Sequence, residues 1–408
     1  MRFTNPLLQA SVIYCAVTNT SHVVGSTSLV TRPYSSWMAD SMIALGVEPT
    51  RWYSEATFYR GIEALQNHTS SSHSSPSSPS YYAYLTNQIS AILTPTGAFT
   101  TWNFSDHQLD NIRIGATILY LYTQTPSPTE KAQYKTALDF LHTRLTQHQR
   151  RTPSGGFWHK DPRYPNQMWL DGLYMAGPFR AGYAALFGAG GGAAWDDVVL
   201  QFALVEAHCR NRTSRLLKHG YDESLRAAWA DPATGASPLV WIRAQGWYFM
   251  ALVDVMDWFP RAHAGWERLR AWFVRLAQAV KETQDESGGW WLIMDEGYEG
   301  REGNYIESSG TAMYTYGLLK GIRQGYLDGK EFGEVAERAY RLMVERFVVP
   351  REGTEWIDWT GTVRVGSLDS NGDYEYYTSV PVVKNSVIGV GPFIMASVEM
   401  EKRSGRMG

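Results

Sequence analysis

Helix-length segments follow one another along the whole of this chain, and they come in two kinds. Gly, Pro, Ser and Asn clusters cut out about twelve of them, at 34–45, 53–66, 81–94, 107–124, 128–148, 166–187, 194–214, 240–259, 262–284, 307–325, 329–348 and 385–402, with no convincing run of alternating strands. In 128–148, Tyr134, Leu138, Leu141 and Leu145 share one face, while Lys131, Lys135, Arg144 and Arg150 are free to face water. The 262–284 segment sets Trp266, Leu269, Phe273, Leu276 and Val280 against Arg268, Arg270, Lys281 and Glu282. By contrast, 166–187, 240–259, 307–325 and 385–402 are apolar or small nearly all round, as helices buried on every side must be. Outer and inner helices in alternation demand two concentric layers. Six such hairpins predict an all-α fold, an (α/α)6 barrel; a superhelical solenoid of helix pairs alternates its layers in the same way and is the competing architecture.

One helix start shows the local logic. Ser127 is placed to cap, Pro128 suits the first turn, and Glu130 completes a capping box. The Ser/Pro-rich stretch from Asn67 to Ser80 reads as a surface loop between two helices. One catalytic domain over 33–408 is expected, behind an N-terminal extension over 1–32.

The few polar groups on the buried helices are not scattered. Asp110, Asp171, Arg243 and Glu307 each stand near a helix start, so parallel inner helices would bring them to one mouth. Two near-copies, Ser154-Gly-Gly-Phe-Trp158 and Ser287-Gly-Gly-Trp-Trp291, connect outer to inner helices and are expected to carry Trp158, Trp290 and Trp291 to that rim. Asp171 is the one ionisable group in an apolar helix start. Burial or a neighbouring carboxylate such as Asp110 would raise its pKa and a helix N-terminus would lower it, a balance that suits a general acid; a structural cap or a buried ion-pair member is the bland reading. His219 belongs to a connection that opens at the same mouth. An arginine heading a buried helix, as Arg243 does, needs an anion or several acceptors, either a carboxylate-bearing substrate or a salt bridge to Asp171 or Asp110. Trp247, one turn later, is either a stacking platform or core. Tyr374, Tyr376 and Tyr377, before the last inner helix, either line the pocket or pack on their own loop.

Composition narrows the ligand. The chain has 16 Trp and 24 Tyr, more than a core normally requires, and flat rings with a polar edge suit sugars, an aromatic-rich core being the plain alternative. A net charge of −3 provides no basic field for nucleic acid or acidic lipid. Cys15 and Cys209 allow one disulfide at most and match no zinc pattern. No apolar run is long enough to span a membrane. A weak signal-like stretch over 6–17 and sequons at Asn19, Asn67, Asn103 and Asn211 leave both a cytoplasmic and a secreted location open.

Several blocks, in order, resemble the unsaturated rhamnogalacturonyl hydrolases of glycoside hydrolase family 105 and, more distantly, the unsaturated glucuronyl hydrolases of family 88. They are Trp37-Met-Ala-Asp-Ser41, Leu109-Asp-Asn-Ile112, Trp169-Leu-Asp-Gly-Leu-Tyr-Met175, Trp229-Ala-Asp-Pro232, Arg243-Ala-Gln-Gly-Trp247, Glu307-Ser-Ser-Gly-Thr-Ala-Met313 and Gly389-Val-Gly-Pro-Phe393. The resemblance implies an (α/α)6 barrel without metal or organic cofactor, acting on an unsaturated uronyl oligosaccharide left by a polysaccharide lyase. It aligns Asp171 with the catalytic aspartate, Asp110 with a second acid, and His219, Arg243 and Trp247 with pocket positions. The expected site therefore has Asp171, Asp110 and His219 as catalytic groups and Arg243, Trp247, Trp169, His159, Lys160, Trp290 and Tyr376 as substrate-binding groups. Three rival readings stay open: a glycosidase of saturated glycans using Asp110 or Glu307 as second carboxylate, a sugar epimerase using His219 and His159, and a non-catalytic sugar-binding protein. The Gly-rich tract from Gly188 to Gly192, the long Ser/Pro loop and the first thirty residues depart from the family pattern.

Overall fold

The computed structural model describes residues 32–71, 80–188 and 191–405. Every one of the twelve expected segments is helical. In chain order they form α1 (Tyr34–Leu45), α2 (Tyr53–Ser71), α3 (Tyr81–Ile92), α4 (Ile114–Gln124), α5 (Pro128–Thr143), α6 (Leu170–Phe187), α7 (Gly191–Cys209), α8 (Ile242–Val255), α9 (Ala264–Glu282), α10 (Ser308–Arg323) and α11 (Gly329–Leu342). A short α12 (Tyr374–Ser379), which the periodicity did not show, precedes α13 (Val387–Arg403). The expected extension with Cys15 and Asn19, most of the Ser/Pro loop and part of the Gly-rich tract lie outside the described residues.

Helices α2, α4, α6, α8, α10 and α13 touch in sequence, and α13 packs back onto α2 to close a ring. The odd-numbered helices α1 to α11 pack outside it. This is the (α/α)6 barrel of six hairpins; in a solenoid the first and last helices would not meet. Closure depends on close backbone approach. A Cβ on Gly391 of α13 would stand 2.4 Å from the carbonyl oxygen of Thr57 on α2, so only glycine lets the first and last inner helices touch.

Burial follows the sequence pattern. Every residue of α8 is buried, while α9 buries Trp266, Leu269, Phe273, Leu276 and Val280 and exposes Arg268 and Glu282. Each such side chain taken fully from water stabilises the fold by roughly 1.5–3 kcal/mol. Two local expectations need correction. Arg144 does not face water; it is buried and donates to the Phe104 carbonyl at 2.9 Å, since α5 ends in a wide π turn that rotates it inward. The capping box at α5 is half formed: Ser127 Oγ accepts from Glu130 N at 3.3 Å, but Glu130 accepts from the Thr125 hydroxyl instead of reaching back to Ser127.

The connections hold short antiparallel ladders that the sequence did not announce, because strands of two or three residues leave no period. Among the described residues they are β1 (His107–Gln108) with β2 (Lys160–Asp161), β3 (Gln167–Trp169) with β4 (Gly220–Asp222), β5 (Val348–Pro350) with β6 (Ile357–Trp359), and β7 (Thr362–Val363) with β8 (Val382–Val383). No helix among the described residues is long and apolar enough to cross a membrane.

Candidate active site

These ladders build the mouth at which the inner helices begin. β1 pairs with β2, so the turn carrying Asp110 lies beside His159 and Lys160. β3 pairs with β4, and Leu170 N donates to the His219 carbonyl at 2.9 Å, which sets the first turn of α6 against His219. Further round, Ile242 N donates to Leu292 O at 3.0 Å and Ser308 N to Gly361 O at 3.1 Å, so these inner helices start beside the connection leading to the next. Gly172 keeps the centre tight: a Cβ there would come within 2.7 Å of Leu109 Cδ1.

Asp171 is 14% exposed at this mouth, and its Oδ2 lies 3.1 Å from Nε2 of His219 without the alignment of a hydrogen bond. Burial pushes its carboxyl up, but His219, by charge and by proximity, and then His159 more than offset this, leaving it below the usual carboxylate range. Asp171 is therefore ionised in the free protein, not poised near neutrality as the sequence balance suggested; the cause is the histidine. His219 is fully buried, and its Nδ1 lies 2.7 Å from Tyr377 Oη. Burial, reinforced by Tyr376 and Asp171, holds that phenol protonated, so it is able to donate to Nδ1 and leave the Nε2 hydrogen facing Asp171.

Asp110 is 4% exposed and engaged. Lys160 Nζ sits 2.8 Å from its Oδ2, and burial, which lowers the lysine pKa, is outweighed by Asp110, which raises it. His159 stands 3.8 Å from the other oxygen; burial pushes it down to about 4 against the pull of Asp110, so it is a neutral ring at pH 7. It stacks on Trp169 at 4.4 Å, and Trp169 meets His219 edge-on at 5.2 Å. Glu307 is a cap: its oxygens accept from Ser309 Oγ, Gly310 N and Val363 N, at 2.7–3.0 Å.

Arg243, 2% exposed, makes neither of the salt bridges considered from sequence. Its Nη1 donates to Val363 O at 2.5 Å and to Ser309 Oγ at 3.4 Å, its Nη2 donates to Arg364 O, and its guanidinium lies over Trp241 at 4.6 Å. These acceptors are neutral, so no protein carboxylate among the described residues is bonded to the charge. Trp247 is 1% exposed and stacks on Tyr174 at 5.0 Å, which makes it a support beneath the mouth and not an open platform.

Two expected ligand contacts sit elsewhere. Trp290 is fully buried, with Nε1 donating to Val280 O at 2.7 Å; in both Gly-Gly turns the first ring, Phe157 or Trp290, points into the core and the second, Trp158 or Trp291, is half-buried, as alternation along an extended segment requires. Tyr376 is half-buried with its Oη accepting from Ser367 N at 2.8 Å, and its neighbour Tyr377 is the ring that reaches His219. Sequence reasoning passed over Tyr53, the first residue of α2, whose ring meets Trp247 at 6.3 Å. Its phenol is pushed up by burial and then by Asp110, against the pull of Arg243, so it stands among the site's charges. A lone tyrosine at a helix start has no spacing signature, and only the closing of the ring brings it there.

A family model described as Glycosyl Hydrolase Family 88 matches residues 30–404. Among solved structures, the chain is similar to a glycoside hydrolase from family 105 of C. acetobutylicum ATCC 824, at 33% identity and TM-score 0.83, over 91% of this chain and 100% of that one. The 24.9 kDa protein in picA locus of Rhizobium radiobacter is 38% identical over 215 residues, 50% of this chain and 89% of its own length. An unsaturated 3S-rhamnoglycuronyl hydrolase of Alteromonas sp. (strain LOR) is 25% identical over 124 residues, 30% of this chain and 29% of that protein.

Proposed function

Since the chain belongs to Glycosyl Hydrolase Family 88, we propose that this glycosidase removes a terminal 4-deoxy-4,5-unsaturated uronic acid from lyase-generated rhamnogalacturonan oligosaccharides. The observation that carries the reading is the unequal state of the carboxylates at the mouth. Asp171 is partly accessible and its close partner is a histidine, whereas Asp110 is bonded to Lys160 and Glu307 is consumed by its cap. Displacement at a saturated glycosidic bond needs two carboxylates free to act on opposite sides of the sugar. Hydration of an enol ether needs one acid used twice. An epimerase would need a base pair such as His219 and His159, and His159 is stacked on Trp169, which packs in turn against Tyr164, with its Nε2 turned to Asp110.

In this reading Asp171 takes a proton from solvent as the substrate carboxylate arrives, because a second negative charge nearby raises its pKa, while Nε2 of His219 at 3.1 Å keeps the carboxyl in place. It gives that proton to C4, and positive charge develops at C5 and the ring oxygen. Water then adds to C5 and returns a proton to the Asp171 carboxylate, so the acid is restored. The hemiketal opens by breaking the bond between C5 and the ring oxygen, and the hemiacetal left at C1 expels the aglycone. Arg243 and Lys160 supply cations for the uronate, and the starts of the inner helices add to them.

The test is an assay with unsaturated galacturonyl-rhamnose and unsaturated glucuronyl disaccharides, following loss of the enol-ether absorbance. Turnover of the galacturonyl substrate by the parent and not by Asp171→Asn is expected. Preference for the glucuronyl substrate would reassign the sugar, and cleavage of saturated glycans alone would remove the enol-ether chemistry.

A further inference from the structure

The opposite mouth, where the inner helices end, holds a cavity of about 330 Å³ that the proposed reaction does not use. Arg60 and Glu63 of α2, Tyr120 at the end of α4, Arg113 just before α4, and Asp254 and Trp258 at and beyond the end of α8 line it. Its charges balance. Arg60 lies 3.0 Å from Glu63 and 3.7 Å from Asp254, Lys320 lies 2.6 Å from both Asp254 and Asp257, and Arg113 brings the cations to three against three carboxylates.

Within that balanced set, several polar atoms have no hydrogen-bond partner. Arg113 is 1% exposed; it donates from Nη2 to Tyr174 Oη at 2.8 Å, but its Nε and Nη1 are unmatched. Asp254 Oδ2, on a residue 3% exposed, accepts no hydrogen bond, its ion-pair partner Arg60 standing 3.7 Å away. Buried donors and acceptors are rarely left unmade, so the site calls for an occupant that both donates and accepts. A free anion would meet Glu63 and Asp254, and a free cation would meet Arg60 and Arg113. Half-buried Trp258 and Tyr120 add flat rings to the wall, and the volume falls at the lower end of small-ligand pockets, about 300–1,000 Å³. From unmatched donors and an unmatched acceptor in a charge-balanced, ring-walled cavity, we infer that this far mouth is a second binding site, for a neutral hydroxyl-rich molecule of monosaccharide size.

The site stands apart from the catalytic reading and is tested without activity. Saturation-transfer NMR and calorimetry on the full chain would use three hexose-sized probes that differ in charge: D-galactose, D-galacturonate and D-glucosamine. D-Galactose is expected to bind in the parent and in Arg243→Met, which leaves the far mouth intact, and to bind roughly tenfold more weakly or not at all in Trp258→Ala and Arg113→Met. Thermal unfolding of each variant separates loss of the site from loss of the fold, and Trp258→Ala, half-buried at the wall, is the variant least exposed to that ambiguity. At this mouth the charged probes should bind roughly tenfold less tightly than D-galactose. Absence of D-galactose binding at roughly 50 mM, binding that persists in a folded Trp258→Ala, or preference for either charged probe would overturn the assignment, the first of these leaving ordered water as the occupant.

Discussion

The two mouths of the barrel bury charges in opposite ways. Where the inner helices end, charges are spent on one another: Lys320 bridges Asp254 and Asp257, Arg323 holds Glu399 at 2.6 Å, and Tyr316 donates to Asp254 at 2.6 Å. Where they begin, Asp171 meets a histidine without an aligned hydrogen bond and Arg243 is bonded only to neutral oxygens. Helix starts carry partial positive charge, so that mouth is also the one suited to an anionic sugar. The contrast teaches that charges balanced against one another hold the fold at one end, while a guanidinium bonded only to neutral oxygens is kept at the end where an anionic substrate is to complete it.

The strongest way to break this contrast is Asp171→Asn. Activity on an unsaturated uronide should fall by about 10²–10⁴-fold while thermal unfolding stays near the parent; a large loss of stability with activity retained would make the near mouth structural. At the far mouth the outcome should be reversed. Lys320→Met should cost about 3–5 kcal/mol in urea unfolding and leave the kcat of the surviving folded protein near that of the parent.

A pH series sharpens the same pair. For Asp254, burial pushes the carboxyl up, but Lys320 and Arg60 hold it below the usual range. Its contribution is therefore complete above the unfolded value of about 3.9 and disappears as pH falls below that value towards the folded pKa. The stability gap between parent and Lys320→Met should thus narrow in acid and not at neutral pH.

Back at the near mouth, His219→Gln removes the group that offsets burial at Asp171. A carboxyl titration followed by NMR, assigned by difference from Asp171→Asn, should shift upward; an unchanged titration would mean that His219 does not set the acid. The smallest effect belongs to Tyr377→Phe, which deletes the hydroxyl at Nδ1 of His219. One hydrogen bond of about 0.5–1.5 kcal/mol corresponds to a loss of roughly two- to twelvefold in kcat/KM. Deletion without effect would make the phenol a packing group.

The twelve helices, their inner and outer kinds, and the head-of-helix polar groups Asp110, Asp171, Arg243 and Glu307 were legible because each rests on local periodicity or on one polar residue in an apolar run. Fine roles were not. Trp290 and Trp291 are chemically equivalent in the sequence, and only the direction of an extended segment buries the first. Tyr376 and Tyr377 are equally plausible until the short α12 turns one of them towards His219.

What the sequence determined by itself was the layering of this chain and the helix start at which an acid would be found, since both follow from which residues tolerate water along a single helix. Tertiary structure alone decided the acid's protonation and its company. Asp171 and His219 lie 48 positions apart, Tyr377 is 158 beyond His219, and Tyr53 reaches the site only when the ring closes. A pKa depends on distances of a few ångströms between charges, and those distances are set by ladder register and helix packing, which no local pattern encodes.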